Sequence, residues 1–212
     1  MREALARARQ WGFLGEGSLD VHVAHAGGFA AAAESAEARR APTDSPRWMD
    51  LGSGGGIPGL VLARAWPDRE GVLLEANRRR GEFLRAAVDD LGWAERVSVV
   101  IERAETAGRD PNLRGGFSLV VARSFGPPAV TAECAAPFLR VSGLLVVSEP
   151  PGASGPQDGG SERWPEDGLA DVGLMPAGRW QQEFGYQLMR QVEPCPPRFP
   201  RRVGVARKRP LY

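Results

Sequence analysis

Lysine occurs once in these 212 residues, and cysteine and histidine twice each. Cys134 and Cys195 are too few and too far apart for a disulfide framework or the thiolate cluster of a zinc site. His22 and His25 can share a helix face. With no third nitrogen or sulfur ligand nearby they read as structural or, at most, RNA-facing, and no metal is expected. No apolar run approaches the ~20 residues of a membrane span, and no charged segment followed by an apolar stretch opens the chain. The expectation is a cytoplasmic protein, monomeric and without membrane contact.

Charge of both signs is present, but unevenly. The formal net charge of +1 hides a C-terminal stretch, residues 198–212, that holds Arg198, Arg201, Arg202, Arg207, Lys208 and Arg209 and no acid. Without those six, 21 basic residues face 26 acidic ones, a net −5. A basic tail on a mildly acidic body points to an anionic partner such as RNA, and the six cations are its candidate contacts.

The length suits one α/β domain. Residues 2–40 are rich in alanine and arginine, and Gly12, Gly15 and Gly17 separate a first helix from a second that runs from Leu19 to Arg40. Residues 41–47 read as a turn-rich linker. Short apolar strands then alternate with helices, at Trp48–Leu51, Val72–Glu75, Val97–Ile101, Phe117–Ala122 and Leu144–Ser148. That alternation predicts a parallel sheet with right-handed crossovers. Residues 150–168 form a Pro/Gly/Ser-rich loop, and 178–193 a final hairpin-like pair of strands. Three parts follow: an N-terminal helical cap and linker (1–47), an α/β domain (48–197) and the basic tail (198–212).

The stretch "WMDLGSGGGIPGL", residues 48–60, places a glycine loop directly behind the first strand. Gly54, Gly56 and Gly59 satisfy the dinucleotide fingerprint, whereas Asp50, Gly52, Gly54 and Gly56 give the D-x-G-x-G-x-G pattern of an S-adenosylmethionine (SAM) loop. Strand propensity ends at Leu51, so the turn begins at Gly52 and Gly59 falls inside the helix. That favours SAM, and Asp50, Gly52, Ser53, Gly54 and Gly56 become candidate contacts. An acid at the loop entrance also suits a sulfonium cation better than a pyrophosphate.

Ligands of open α/β sheets sit outside the carboxyl ends of the strands. The second strand ends at Glu75, 19 residues after Gly56, where an acid accepts both ribose hydroxyls of an adenosine. NAD would use the same acid, so Glu75 alone does not decide between the cofactors. The third strand is followed by "ERAE", which puts Ala104 and Glu105 near the adenine. The fourth ends at Arg123 and Ser124, candidate catalytic residues. Arg123 is placed to hold the methionine carboxylate of the cofactor or a nucleotide of the substrate.

The segments "DLGSGGGIPGL", "LLEANRRRGEFLRAAVDDLG", "ERAE", "VARSF" and "PRFPRRVGVARKRPL" together resemble the bacterial 16S ribosomal RNA guanine-N7 methyltransferases, the RsmG or glucose-inhibited division protein B family. The resemblance covers residues 48–149 and the last 15. It implies a class I SAM-dependent methyltransferase fold, a Rossmann-like, seven-stranded, mostly parallel α/β sheet flanked by helices. SAM binding is implied at Gly52, Ile57, Glu75, Ala104, Glu105 and Arg123, and methyl transfer to N7 of a guanine in 16S rRNA or the small ribosomal subunit. The chain departs from the family at "VHVAHAGGFA", which retains His25 alone of an N-terminal motif, and at Glu149, where the family tends to carry a lysine. A small-molecule or protein acceptor, a non-catalytic SAM- or RNA-binding role and an NAD-dependent oxidoreductase are the rival readings.

Overall fold

Apolar runs too short for helices and buried on both faces build the middle of the sheet. The computed structural model describes residues 1–37, 47–150 and 162–212. Two helices, α1 (Arg2–Gln10) and α2 (Leu19–Glu37), lead into the alternation β1 (Trp48–Leu51), α3 (Gly59–Ala65), β2 (Gly71–Glu75), α4 (Arg78–Asp90), β3 (Val97–Ile101), α5 (Ala104–Ala107), β4 (Phe117–Ala122), α6 (Pro128–Ala135) and β5 (Leu139–Ser148). A short α7 (Glu166–Ala170) precedes the hairpin β6 (Leu174–Gln181) and β7 (Gly185–Gln191), and α8 (Val205–Lys208) lies near the end. The expected last turn of the second helix, the linker up to residue 46 and most of the 150–168 loop lie outside the described residues.

The strands form one sheet in the order β3-β2-β1-β4-β5-β7-β6. Pairing is parallel from β3 to β5 and antiparallel through β7 and β6. This is the seven-stranded, mostly parallel sheet expected from the alternation. Chain order reverses between β1 and β4, so their carboxyl ends open the crevice in which such sheets bind ligands.

Period-two alternation sends successive side chains to opposite faces. Trp48, Leu73, Leu119, Val121, Leu144 and Val146 enter a core closed by α1 to α4. Met49, Val72, Leu74, Val120, Leu145 and Val147 enter a second, closed by α5 to α7 and by Phe199. α4 is bounded by local chemistry: the Asn77 side chain accepts the Arg80 amide at 3.1 Å, and Gly92 takes φ +69° just past its end.

Two strands start several residues earlier than expected. β5 begins at Leu139, ahead of the expected Leu144, because Ser142 and Gly143 form an irregularity that shifts its register on β4 without ending the strand. β6 begins at Leu174, because a similar shift between Pro176 and Gly178 hides its continuity behind two poor strand formers.

The tail departs further from a free basic arm. Phe199 and Ala206 are buried. Arg114 donates to the carbonyls of Gly108, Cys195, Pro196 and Phe199. The Arg201 amide and Nε both donate to Glu133, which is 0% exposed, at 2.8 and 3.0 Å. Arg201 is therefore committed to the fold, whereas Arg198, Arg202, Arg207, Lys208 and Arg209 remain exposed. The charge pattern alone could not separate them, since the partner acid lies 68 residues earlier.

Removing one member of a buried ion pair strands the other charge and costs roughly 3–5 kcal/mol. Arg201→Ala should lower unfolding stability in urea by about that much, while Arg207→Ala, which removes an exposed charge, should change it by less than about 0.5 kcal/mol.

Candidate functional site

The glycine loop starts where β1 ends. Gly52 takes φ +77°, and a Cβ there would lie 2.7 Å from the Phe125 ring, so glycine is required twice over. Below the loop, Asp50 is 0% exposed, and its Oδ2 accepts the Gly59 amide at 2.8 Å. Burial pushes this carboxyl up to about 7, the Glu75 charge adds to the rise and the Gly59 amide opposes it. Asp50 thus ties the loop to the start of α3 and does not face a ligand, which corrects its expected place at the loop entrance. Ser53 is likewise buried, its hydroxyl donating to the Asp50 carbonyl at 3.0 Å. Gly56 and Ile57 pack inward, a Cβ on Gly56 meeting Leu60 at 2.5 Å.

Beside Gly52 opens a cavity of about 200 Å³ lined by Glu75, Ala104, Ser124, Phe125 and Glu102 among others. One oxygen of Glu75 accepts the Gly54 amide at 2.8 Å and the other the Asn77 amide at 2.7 Å. These bonds fix the carboxylate at the cavity wall, and each oxygen keeps a further lone pair for a ligand hydroxyl. Glu105 does not line the cavity: its Oε1 accepts the Gly204 amide at 3.0 Å and its Oε2 lies 3.6 Å from Arg103. The Gly204 amide and Arg103 hold its carboxyl below the ordinary value despite burial. Glu102, the first residue past β3, takes the place expected of Glu105. Its position at the strand end was the available signal.

A second cavity of about 400 Å³ adjoins the first through Ser124 and Phe125, with Arg123, His25, Glu149 and Trp164 in its wall. Ser124 adopts φ +52°, a left-handed conformation that costs a non-glycine residue roughly 1–3 kcal/mol and is found at functional sites. Arg123 donates Nη2 to His22 Nδ1 at 3.0 Å, and His22 Nε2 lies 3.2 Å from the Gly15 carbonyl. His22 therefore holds the guanidinium from α2, a contact that the sequence spacing did not reveal. Burial lowers the Arg123 pKa and Asp50 raises it. Glu149 is not a free negative charge: it accepts Arg163 Nε at 2.9 Å and Trp164 Nε1 at 2.9 Å.

The N-terminal segment reaches this site from above. The Phe13 carbonyl and the Leu14 side chain lie 2.8 and 2.7 Å from where a Gly55 Cβ would sit. Among the described residues no group of three potential metal ligands occurs, and no helix is long and apolar enough to cross a membrane.

The family described as rRNA small subunit methyltransferase G matches residues 32–149. Ribosomal RNA small subunit methyltransferase G of Parasynechococcus marenigrum (strain WH8102) is 36% identical over 186 residues, which span 81% of this chain and 70% of that protein. The protein of that name from Moorella thermoacetica is 35% identical over 170 residues, 77% of this chain and 68% of its own length. Among solved structures, mitomycin 7-O-methyltransferase superposes with a TM-score of 0.58 at 14% identity, covering 81% of this chain and 54% of that one. Geranyl diphosphate methyltransferase in complex with SAM gives 0.53 at 14% identity, over 76% and 85%. These two likenesses bear on the fold.

A carboxyl whose folded pKa lies near 7, against 3.8 for an ordinary aspartate, holds a proton that the unfolded chain releases. Its contribution is full below about pH 4 and disappears as the pH rises towards 7. Asp50→Asn retains an acceptor for the Gly59 amide and does not titrate. The stability difference between wild type and variant should therefore move in favour of the variant by about 2–4 kcal/mol between pH 4 and 7.5 in denaturant titrations.

Proposed function

The chain belongs to the rRNA small subunit methyltransferase G family, and we propose that it transfers the methyl group of SAM to N7 of a guanine in 16S ribosomal RNA. The observation that carries this reading is the meeting of the two cavities at Ser124 and Phe125, outside the carboxyl ends of β1 and β4. The smaller one suits the adenosine half of SAM, with Glu75 on the ribose hydroxyls and the Ala104 amide beside the adenine. Gly52 lets the ligand approach the backbone. Gly54 acts through Glu75, while Asp50, Ser53, Gly56 and Ile57 shape the loop from below.

SAM supplies an electrophilic methyl on a sulfonium centre. Held there, that methyl would be taken by the N7 lone pair of neutral guanine as the methyl–sulfur bond breaks with its electrons returning to sulfur, which would leave S-adenosylhomocysteine and a cationic 7-methylguanosine. No proton moves in this step, so no general base is needed. Of the carboxylates that line the two cavities, Glu75 and Glu149 are both held by donors. The work left to the protein is orientation and exclusion of water. Arg123 and Ser124 position the reactants at the junction. The exposed cations Arg198, Arg202, Arg207, Lys208 and Arg209 contact RNA phosphates, which agrees with a cytoplasmic enzyme acting on rRNA or the small subunit.

Labelled SAM with 16S RNA or small subunits from cells lacking the family activity should give 7-methylguanosine on nucleoside mass spectrometry. SAM binding without that product would overturn the acceptor assignment. Glu75→Ala should weaken SAM binding by roughly 10- to 100-fold in calorimetry, the cost of a lost charged hydrogen-bond acceptor.

A further inference from the structure

One guanidinium in the wall of the larger cavity is held in place and yet open to solvent. Arg163 lines that cavity with its side chain 47% exposed, and its Nε donates to Oε2 of Glu149 at 2.9 Å. The Glu149 side chain is only 4% exposed, and its Oε1 accepts Trp164 Nε1 at 2.9 Å. Trp164, the next residue along the chain, is itself buried in the second core. Arg163 is thereby fixed twice, through the backbone by its neighbour and through its head group by the carboxylate. A buried carboxylate bridging two donors adds little net stability, because desolvation offsets much of the attraction. What it delivers is position. An arginine carries five N–H donors and Glu149 takes the one on Nε. The others, on the two Nη atoms, have no hydrogen-bond partner among the described residues and are left for a ligand rich in acceptors.

We propose that Arg163 binds the phosphate group next to the target guanine and so seats that nucleotide in the larger cavity. The inference rests on the acceptor reading above and adds the contact that fixes the nucleotide's backbone. Within RNA, two kinds of group match a guanidinium fork, the O6/N7 edge of guanine and the paired oxygens of a phosphate. The first is closed to it, since N7 must keep its lone pair for the methyl. Glu149 cancels the charge of Arg163 at a distance, so the pair does little to draw RNA in from solution. Its directed N–H groups act on a phosphate already in the cavity. That separates Arg163 from the exposed cations of the tail, whose charge reaches about 8–10 Å into physiological salt.

Arg163→Gln alone would leave the Glu149 charge buried without its cation, so the test uses the full chain carrying Glu149→Gln and Arg163→Gln together. This double variant removes the pair without changing net charge and keeps a side-chain oxygen for Trp164. Melting temperature and SAM affinity should stay at wild-type values. KM for 16S RNA should rise roughly 10-fold with kcat within about twofold, the pattern of a lost contact made equally in the ground and transition states. Guanosine and guanosine 3′,5′-bisphosphate, added as competitors of methyl transfer, read the phosphate directly. The bisphosphate should inhibit wild type roughly 10-fold better than guanosine, about the worth of one charged hydrogen bond, and the double variant no better. An unchanged KM, a bisphosphate that inhibits wild type no better than guanosine, or a preference for it that survives in the double variant overturns the proposal. So does a rise in KM matched by an equal loss of SAM affinity or by a lower melting temperature, which would make the pair structural. Wild type that binds SAM and forms no 7-methylguanosine removes the acceptor reading and this proposal together, whereas an active wild type with an indifferent double variant leaves the acceptor reading standing.

Discussion

The bond from the Gly59 amide to the buried Asp50 carboxyl decides where the glycine loop lies, and the cleft follows from it. It joins the end of β1 to the start of α3 across the glycine-rich loop between them. With that span closed, the Gly54 amide reaches Glu75, and Glu75 is held against the cavity by a second amide at Asn77. The acids at the ends of β1 and β2 thus divide two tasks. Asp50 works below the loop as a tether, and Glu75 works above it as a fixed acceptor.

The sheet was legible because its evidence is local. Four to six mostly apolar residues mark β1, β2 and β4, and burial on both faces matches their lack of polar alternation. The strand ends were legible for the same reason, which is why Glu75, Ala104, Arg123 and Ser124 lie at the two cavities. What escaped depends on contacts between distant segments. Glu102 and Glu105 have the same chemistry and stand three residues apart, and only the approach of Gly204 decides that Glu105 turns away. His22 and Arg123 are 101 residues apart, so nothing local tells that one orients the other. The glutamate-for-lysine departure at Glu149 reads as a reversed charge in sequence and as a paired one in space, because Arg163 and Trp164 donate to it.

The N-terminal helices are part of the site and not an appendage. α2 carries both histidines to the mouth of β4, and the turn after α1 lays Phe13 and Leu14 over the glycine loop. Phe13 also receives Arg79 and Arg80 from the first turn of α4. The N-terminal segment therefore touches both the glycine loop and the larger cavity.

The closure of the second core by the last residues sets an order in time. A protein is made from its N-terminus, so residues 195–201 are added after the whole sheet has been synthesised. Until Arg201 emerges, Glu133 is a carboxylate on the inner face of α6 with no counter-ion, and Arg114 lacks three of its four carbonyl partners. The layer beneath α5 and α6 consequently settles only once residues 195–201 have joined it. A message truncated before codon 198 would yield a polypeptide with the cofactor loop encoded and its supporting layer unfinished, exposed to the cell's proteases before it could act on any substrate.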